Sequence, residues 1–414
     1  MKPRPLWRER DFRRLWIAQS VSDFGARITR EGLPMMAVLG LAASPAQLGL
    51  LAALASGPTL IAGLAAGGLV DARRRRPLLV AADLVRAAVL VTIPLAAWMH
   101  ALTIWQVYAA AALVAGASAV FDIADHAYLP TLVERARLTE ANSRMAATES
   151  LAEMGGPALA GALFQWLTAP FAVAVNAATY LASAVFLARI EAPEPAPEPE
   201  RRRRRRLEGL RTGLATAWEH PVVRPMLVTA AVSGLFGGVF SATYMIFALN
   251  TLGLRPALLG LIIACGGAAS LAGSAIARPL SERIGIGPAI IASGLIAGAS
   301  SLLAPLAGLA GALSAASLIG AQLLGDSFGV AVIILAVSLR QSLIAPERLG
   351  RTGAAFQAMA GGGALIGALG GGWVAQTIGV QAALFIAAAG LALAPLIGLV
   401  SPLRDFRKIP AASA

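Results

Sequence analysis

The sequence has 414 residues, of which 57% are hydrophobic and 14% are charged. Soluble globular domains carry about 25% charged residues, so this composition excludes a soluble protein and predicts a polytopic membrane protein. The net charge of +12 is spread over several loops, which argues against a nucleic-acid partner. The single cysteine, Cys265, excludes a disulfide framework. The sequence shows no catalytic set, cofactor motif or metal-ligand cluster, so we predict neither an enzyme nor a metal site.

Apolar runs long enough to cross a bilayer as helices follow one another along the chain. The first half contains six, at 15–40, 47–70, 78–99, 103–125, 142–166 and 170–189. The second half contains six more, at 224–249, 256–280, 288–309, 312–337, 350–375 and 380–401. The predicted fold is therefore an all-α membrane protein with twelve transmembrane helices.

A charged stretch divides the two halves. Residues 191–206 alternate proline with glutamate and end in six arginines, a composition that cannot build a core. Residues 208–220 resume helical spacing and predict a short interfacial helix. We therefore predict an N-terminal six-helix bundle over 1–190, a cytoplasmic linker over 191–220, a C-terminal six-helix bundle over 221–404 and a cytoplasmic tail over 405–414.

The loops alternate in arginine content. Histidine aside, the loops assigned to the outside contain one basic residue, Arg255. Because basic residues are retained on the cytoplasmic side, both termini are predicted to be cytoplasmic.

The two halves also repeat each other. An offset of 211 residues places Gly49 on Gly260, Gly161 on Gly372 and Gln165 on Gln376. This predicts two parallel repeats, as in transporters built from a duplicated bundle.

The loop between the second and third spans carries a motif. Gly67 and Asp71, followed by Arg75 and Arg76, resemble the cytoplasmic loop motif of the major facilitator superfamily. The resemblance implies that Asp71 holds the cytoplasmic side closed against the start of the eleventh span, near Arg351. The same gate would include Glu282 and Arg283, which follow the eighth span.

Further residues resemble one branch of that superfamily. The Gly156-Pro157-x-x-Ala160-Gly161 step in the fifth span is similar to the antiporter motif of drug exporters, and the segment 12–16, Phe-Arg-Arg-Leu-Trp, is similar to the macrolide-efflux and enterobactin-exporter proteins. The resemblance implies a monomeric drug:proton antiporter of the bacterial inner membrane, which exports drugs or siderophores by alternating access. Its partners would be a small-molecule substrate, protons and the lipid bilayer. A lysolipid flippase of the same fold and a sensor that does not transport are the alternatives.

Four charged residues share one face of the first span. Asp23, Arg27, Arg30 and Glu31 recur at helical spacing. Charges at bilayer depth are costly, so these side chains are expected to face a cavity or one another. They form either a self-neutralising structural ladder or a site for substrate and protons.

Isolated carboxylates lie in two other spans. Glu149 and Glu153 stand one turn apart in the fifth span, with Glu153 about 15 Å from its inner end. We predict Glu153 as the proton carrier, with Arg27 or Arg30 as its cationic partner and with Glu149, Asp23, Glu31 and Asp326 as further candidates. A structural ion pair is the alternative.

Candidate cavity residues occur in the second half. Gln322 and Asp326 lie one turn apart in the tenth span. Phe240, Tyr244 and Met245 in the seventh span either line an apolar pocket or have a lipid-facing or packing role. Asp83 and Arg86, near the inner end of the third span, are expected to form an interfacial or gate pair.

Overall fold

The structure, a computed structural model, describes residues 6–71, 73–194 and 205–407, without the side chains of 62–71 and 205–208. Within these ranges the regular elements are helical, and the chain forms no strand there. The first half contains α1 (Arg10–Leu41), α2 (Pro45–Asp71), α3 (Arg75–Trp98), α4 (Ile104–Leu132), α5 (Leu138–Trp166) and α6 (Ala169–Ala188). The rest contains α7 (Arg205–Glu219), α8 (Val223–Ile246), α9 (Pro256–Ile284), α10 (Ile286–Ser301), α11 (Leu303–Leu306), α12 (Ser314–Leu343), α13 (Pro346–Ile378), α14 (Val380–Leu393) and α15 (Leu396–Leu399).

Nine helical stretches among the described residues are long and apolar enough to cross a membrane. Helices α1 and α5 are not among them, and each carries several charged residues. The part of α2 with described side chains, Pro45–Ile61, is apolar but shorter than these stretches. The all-helical membrane fold is confirmed, and the count of twelve spans stays a prediction.

Several helices run beyond the predicted apolar spans. Helix α12 ends at Leu343 rather than at residue 337, and α13 begins at Pro346 rather than at residue 350. Loss of apolar residues marks the edge of the membrane, whereas a helix ends where its backbone can no longer continue. Here Ile344 is extended and ends α12, and Ala345 has the φ of -56° and ψ of 141° favoured before a proline, so that α13 begins at Pro346.

Helix α7 covers the end of the predicted linker. It buries Ala217 in a cluster with Val223, Leu227 and Ile344. Trp218 of the same helix remains half exposed. The helix is therefore amphipathic, and its apolar side packs against α8 and the segment that follows α12.

The chain divides into two compact units. Unit 1 comprises Met1–Ala43, Leu54–Arg203 and Arg255–Leu261; unit 2 comprises Ser44–Ala53, Arg204–Leu254 and Ile262–Ala414. Residue 203, where unit 1 gives way to unit 2, falls inside the predicted linker over 191–220, and that domain division stays a prediction. The first turns of α2 and α9 each belong to the unit built mainly by the other half. The core of unit 1 centres on Phe12, Phe121 and Tyr128, and a core cluster of unit 2 centres on Ile290 and Leu335.

Two glycines let helices meet closely in unit 2. A Cβ atom on Gly49 of α2 would lie 2.9 Å from the Cα of Gly372 on α13, closer than side chains tolerate. One turn from this crossing, the Ala46 amide donates a hydrogen bond to Gln376 Oε1 at 3.3 Å. The crossing therefore requires small residues on both helices.

The same arrangement occurs in unit 1. A Cβ atom on Gly161 of α5 would lie 3.0 Å from the Cα of Gly260 on α9. The Ala257 amide donates to Gln165 Oε1 at 3.3 Å. These residues stand at the 211-residue offset from those of unit 2, so the repeated sequence positions make matching contacts.

Candidate functional site

Glu153 of α5 is held by two arginines of α1. Its Oε1 accepts a hydrogen bond from Arg27 Nη1 at 2.9 Å, and its Oε2 accepts one from Arg27 Nη2 at 3.4 Å. Arg30 Nη2 lies 3.6 Å from the same Oε1. A guanidinium that meets a carboxylate through two parallel bonds fixes its orientation as well as its charge. Both cationic partners suggested by the sequence thus contact the predicted proton carrier.

The two members of the main pair differ in exposure. The Arg27 side chain is 15% exposed, whereas the Glu153 side chain is 48% exposed. The carboxylate is therefore accessible to protons from outside unit 1, while the arginine is held largely within it.

Gly156 explains how Arg27 reaches Glu153. A Cβ atom on Gly156 would lie 2.5 Å from Arg27 Cβ and 2.7 Å from Arg27 Cγ. The stem of the arginine therefore crosses α5 over the bare backbone of this glycine. The Gly-Pro step that resembles an antiporter motif thus makes room for the ion pair.

The charged residues of α1 do not pair only with one another, as a ladder within one helix would require. Glu31 accepts a hydrogen bond from the neighbouring Arg30 Nε at 3.4 Å, and its side chain is only 13% exposed. Arg27 pairs across to Glu153 on α5. The α1 charges therefore belong to a cluster shared by two helices, which we call the α1/α5 charge cluster: Arg27, Arg30, Glu31 and Glu153.

Further carboxylates lie near this cluster. Asp23 of α1 is within electrostatic range of Glu149 on α5 and Asp122 on α4, as well as of Arg27. Three helices thus contribute acidic groups to one region of unit 1, and the proton-accepting role of Asp23 and Glu149 stays a prediction.

Asp83 and Arg86 form a buried pair rather than the expected interfacial pair. Arg86 Nη2 donates to Asp83 Oδ1, and the two side chains are 3% and 0% exposed. The Arg86 guanidinium carbon lies 4.3 Å from the Phe121 ring centre and 4.2 Å from that of Tyr180. Two aromatic faces and a carboxylate therefore replace water around this cation. The sequence shows only the i, i+3 spacing, since the aromatic partners come from α4 and α6.

Asp326 of α12 faces helix α9 in unit 2. Its Oδ2 and the Nε2 of Gln322 both lie against the space beside Gly266, where a side chain would collide with them. Ser327 donates to the Ala269 carbonyl at 2.8 Å and fastens the same two helices. The structure brings Gln322 and Asp326 together, as their spacing predicts.

The aromatic candidates of α8 pack against a core cluster. The Phe240 and Tyr244 rings stack with centroids 5.4 Å apart and planes 16° apart. Both rest on the cluster around Phe247 and Leu384, and Met245 is buried. This geometry favours the packing alternative over a substrate pocket.

Two of the four gate candidates with described side chains, Arg76 and Glu282, make contacts within their own unit. Arg76 donates to the Leu187 carbonyl at 3.1 Å and to the Ala188 carbonyl, which binds α3 to the end of α6. Glu282 pairs with Arg278 of its own helix at 2.7 Å.

The other two gate candidates with described side chains differ in exposure. Arg75 is half buried, and Arg283 is exposed. The side chain of Asp71 and the surroundings of Gly67 lie outside what the structure describes.

Potential metal ligands do not converge in the part of the chain that the structure describes. No group of three or more histidine, cysteine, aspartate or glutamate side chains is placed to hold a metal ion there. The α1/α5 charge cluster offers carboxylates paired with arginines.

Comparisons with known proteins agree with this architecture. A sequence model of the family described as "Transmembrane secretion effector" matches residues 4–414. The uncharacterized MFS-type transporter YfiS of Bacillus subtilis (strain 168) is 25% identical over 410 residues, which cover 96% of this chain and 94% of YfiS.

Solved structures share the fold. A bacterial homologue of the iron transporter ferroportin superimposes with a TM-score of 0.76 at 17% identity, covering 94% of this chain and 98% of the other. A POT family transporter in complex with 5-aminolevulinic acid gives a TM-score of 0.74 at 12% identity, covering 96% and 97%.

Proposed function

The chain belongs to the transmembrane secretion effector family of major facilitator superfamily transporters, and on that premise we propose that it exports amphipathic small molecules in exchange for protons. Drugs and siderophores are the proposed substrate class, through similarity to the macrolide-efflux and enterobactin-exporter branch. The proposed location is the bacterial inner membrane, with both termini in the cytoplasm and the monomer as the working unit.

The observation that carries the proposal is the double arginine contact of Glu153. A proton and a guanidinium compete for the same carboxylate, because a neutral carboxylic acid no longer attracts the cation. Proton uptake would therefore release Arg27 and Arg30 from Glu153. Such a change of partner couples protonation to a rearrangement between α1 and α5.

The half-exposed position of Glu153 supports this role. A proton carrier must be accessible to water, and its electrostatic interaction with a neighbouring charge must change between conformations. Asp83, the partner of Arg86, is fully buried and therefore suits a structural role.

The test is transport by purified protein in liposomes with a pH difference as the sole driving force, screened over dyes, macrolides and catecholate siderophores. Glu153→Gln mimics the protonated state, so we expect it to lose accumulation against a gradient. Substrate binding and energy-independent exchange should remain, and binding should no longer vary with pH.

A matched control is available on the same helix. Glu140 of α5 also pairs with arginines, Arg137 at 3.1 Å and Arg144 at 3.2 Å, but at the predicted cytoplasmic end outside the apolar span. The Arg137 contact lowers the pKa of Glu140 below its ordinary value, so this carboxylate stays ionised near neutral pH. Glu140→Gln should retain gradient-driven accumulation.

Accumulation by Glu153→Gln equal to that of the wild type would remove Glu153 from proton coupling. Glu149, Asp23, Glu31 and Asp326 would then be tested by the same substitution. Headgroup-dependent lipid transfer without proton flux would instead identify a lysolipid flippase, and substrate binding without flux would identify a sensor.

A further inference from the structure

Unit 2 contains a large cavity separate from the α1/α5 charge cluster. Its volume is about 880 Å³, within the range of about 300–1,000 Å³ typical of ligand sites. Helices α8, α10, α12, α13 and α14 form its walls, and α15 adds to one end. Most of the lining is apolar, including Ile290, Ile291, Val332, Ile333 and Leu391.

One charged residue, Arg340, lines this cavity. It lies in the last turn of α12, and its guanidinium carbon stands 4.7 Å from the centre of the Phe356 ring. Among the residues that the structure describes, no carboxylate forms an ion pair with Arg340. A half-buried cation beside an apolar space attracts an anion that brings its own apolar body.

The length of the cavity indicates how long the apolar part of the ligand can be. The lining runs along α12 from Arg340 to Gly329, a distance of about 16 Å at 1.5 Å per helical residue. This is about half of the 30 Å hydrocarbon core, the depth of one leaflet. Arginine content places Arg340 at the cytoplasmic end of α12.

The cavity is lined in part by an exposed side chain. Ile333 is 63% exposed. A ligand can therefore reach the cavity from the surroundings of unit 2.

We propose that this cavity binds a single-chain amphiphilic anion from the inner leaflet. Its acidic group lies on Arg340, and its acyl chain extends along α12 toward Gly329. The acidic group is either the carboxylate of a free fatty acid or the phosphate of an anionic lysophospholipid, since both offer oxygen acceptors to the guanidinium. The proposal does not depend on proton-driven export, and either can fail alone.

The experiment measures equilibrium binding of radiolabelled palmitate to the full-length protein in phosphatidylcholine nanodiscs. We expect saturable binding that Arg340→Gln weakens by at least about tenfold, as for the loss of a hydrogen bond to a charged group. Unlabelled monopalmitoylglycerol, which has the chain without the charge, should not compete. Competition by palmitoyl-lysophosphatidylglycerol would show that the site accepts a phosphate as well as a carboxylate, and its failure would restrict the site to a carboxylate; both results support the proposal.

A second variant tests the cavity without changing the charge. No heavy atom lies within 4 Å of a Cβ placed on Gly329, so Gly329→Leu fills the space and should also reduce binding. Gly370→Leu is the matched control, because Gly370 has equally open surroundings but is not part of the lining. It should bind palmitate like the wild type.

Two results would overturn the site. One is competition by monopalmitoylglycerol as strong as that by palmitate. The other is wild-type affinity in Gly329→Leu, which decides the question even if Arg340→Gln cannot be purified as folded protein.

Discussion

The contact between Gly156 and Arg27 makes a quantitative prediction. In Gly156→Ala the new methyl group would lie 2.5 Å from Arg27 Cβ, whereas carbon atoms prefer separations of about 3.5–4.0 Å. The helices or the arginine stem must therefore shift by about 1 Å. Overpacking of this kind costs about 1–3 kcal/mol in free energy of unfolding.

The neighbouring glycine supplies the comparison. A Cβ atom on Gly155 would lie 3.5 Å from Phe24 Cε1, an ordinary contact. Both substitutions gain the same helix propensity of about 0.5–1 kcal/mol for alanine over glycine. The difference between Gly156→Ala and Gly155→Ala therefore isolates the overpacking, and we expect Gly156→Ala to be less stable by about 1–3 kcal/mol.

The assay is denaturant titration of both variants in detergent, together with pH-driven transport in liposomes. Gly156→Ala should also lose transport, because displacing the Arg27 stem breaks its contact with Glu153. Arg27→Gly removes every atom that would collide, so adding Gly156→Ala to that variant should cost much less. Equal stability of Gly155→Ala and Gly156→Ala in the wild-type background would refute the reasoning.

The remaining predictions concern the buried ion pair and the topology. Arg86→Met leaves Asp83 buried without a cation and should lower the free energy of unfolding by about 3–5 kcal/mol. The double variant Arg86→Met/Asp83→Leu should lose less stability, because no unpaired charge remains buried. Denaturant titration measures both losses, and equal losses would contradict a buried pair. In a background lacking the native cysteine, a cysteine at His100 should react with an impermeant thiol reagent added outside, and one at Arg203 should not. The opposite labelling would reverse the predicted orientation.

The α1/α5 charge cluster was partly predictable from sequence. Helical spacing placed Arg27 and Arg30 on one face, and the depth of Glu153 made it a partner for either. Spacing within one helix does not give the rotation of a neighbouring helix, so the sequence left both arginines as alternatives. It gave no sign that the stem of Arg27 passes over Gly156, because that contact joins residues 129 positions apart.

Arg86 shows a different limit. Its distance from the end of α3 favoured an interfacial position, because charged residues near span ends usually reach water. The structure instead encloses it between Phe121 and Tyr180. Neither ring is distinguished in sequence from other aromatic residues in apolar helices, so burial of this cation depends on packing among three helices.

The charges of the α1/α5 cluster balance when both carboxylates are ionised. Glu153 contacts Arg27 and Arg30, and Arg30 also contacts Glu31, so two cations face two anions. Protonation of Glu153 would leave these four residues with a net charge of +1, and a charge at bilayer depth costs at least about 2.5 kcal/mol on insertion scales. Water or an incoming anion relieves that cost, so the protonated cluster favours a conformation that hydrates it. A cationic drug close to the cluster would be repelled by the same charge. For that part of the proposed substrate class, proton uptake and release of the drug would be two consequences of one change at Glu153.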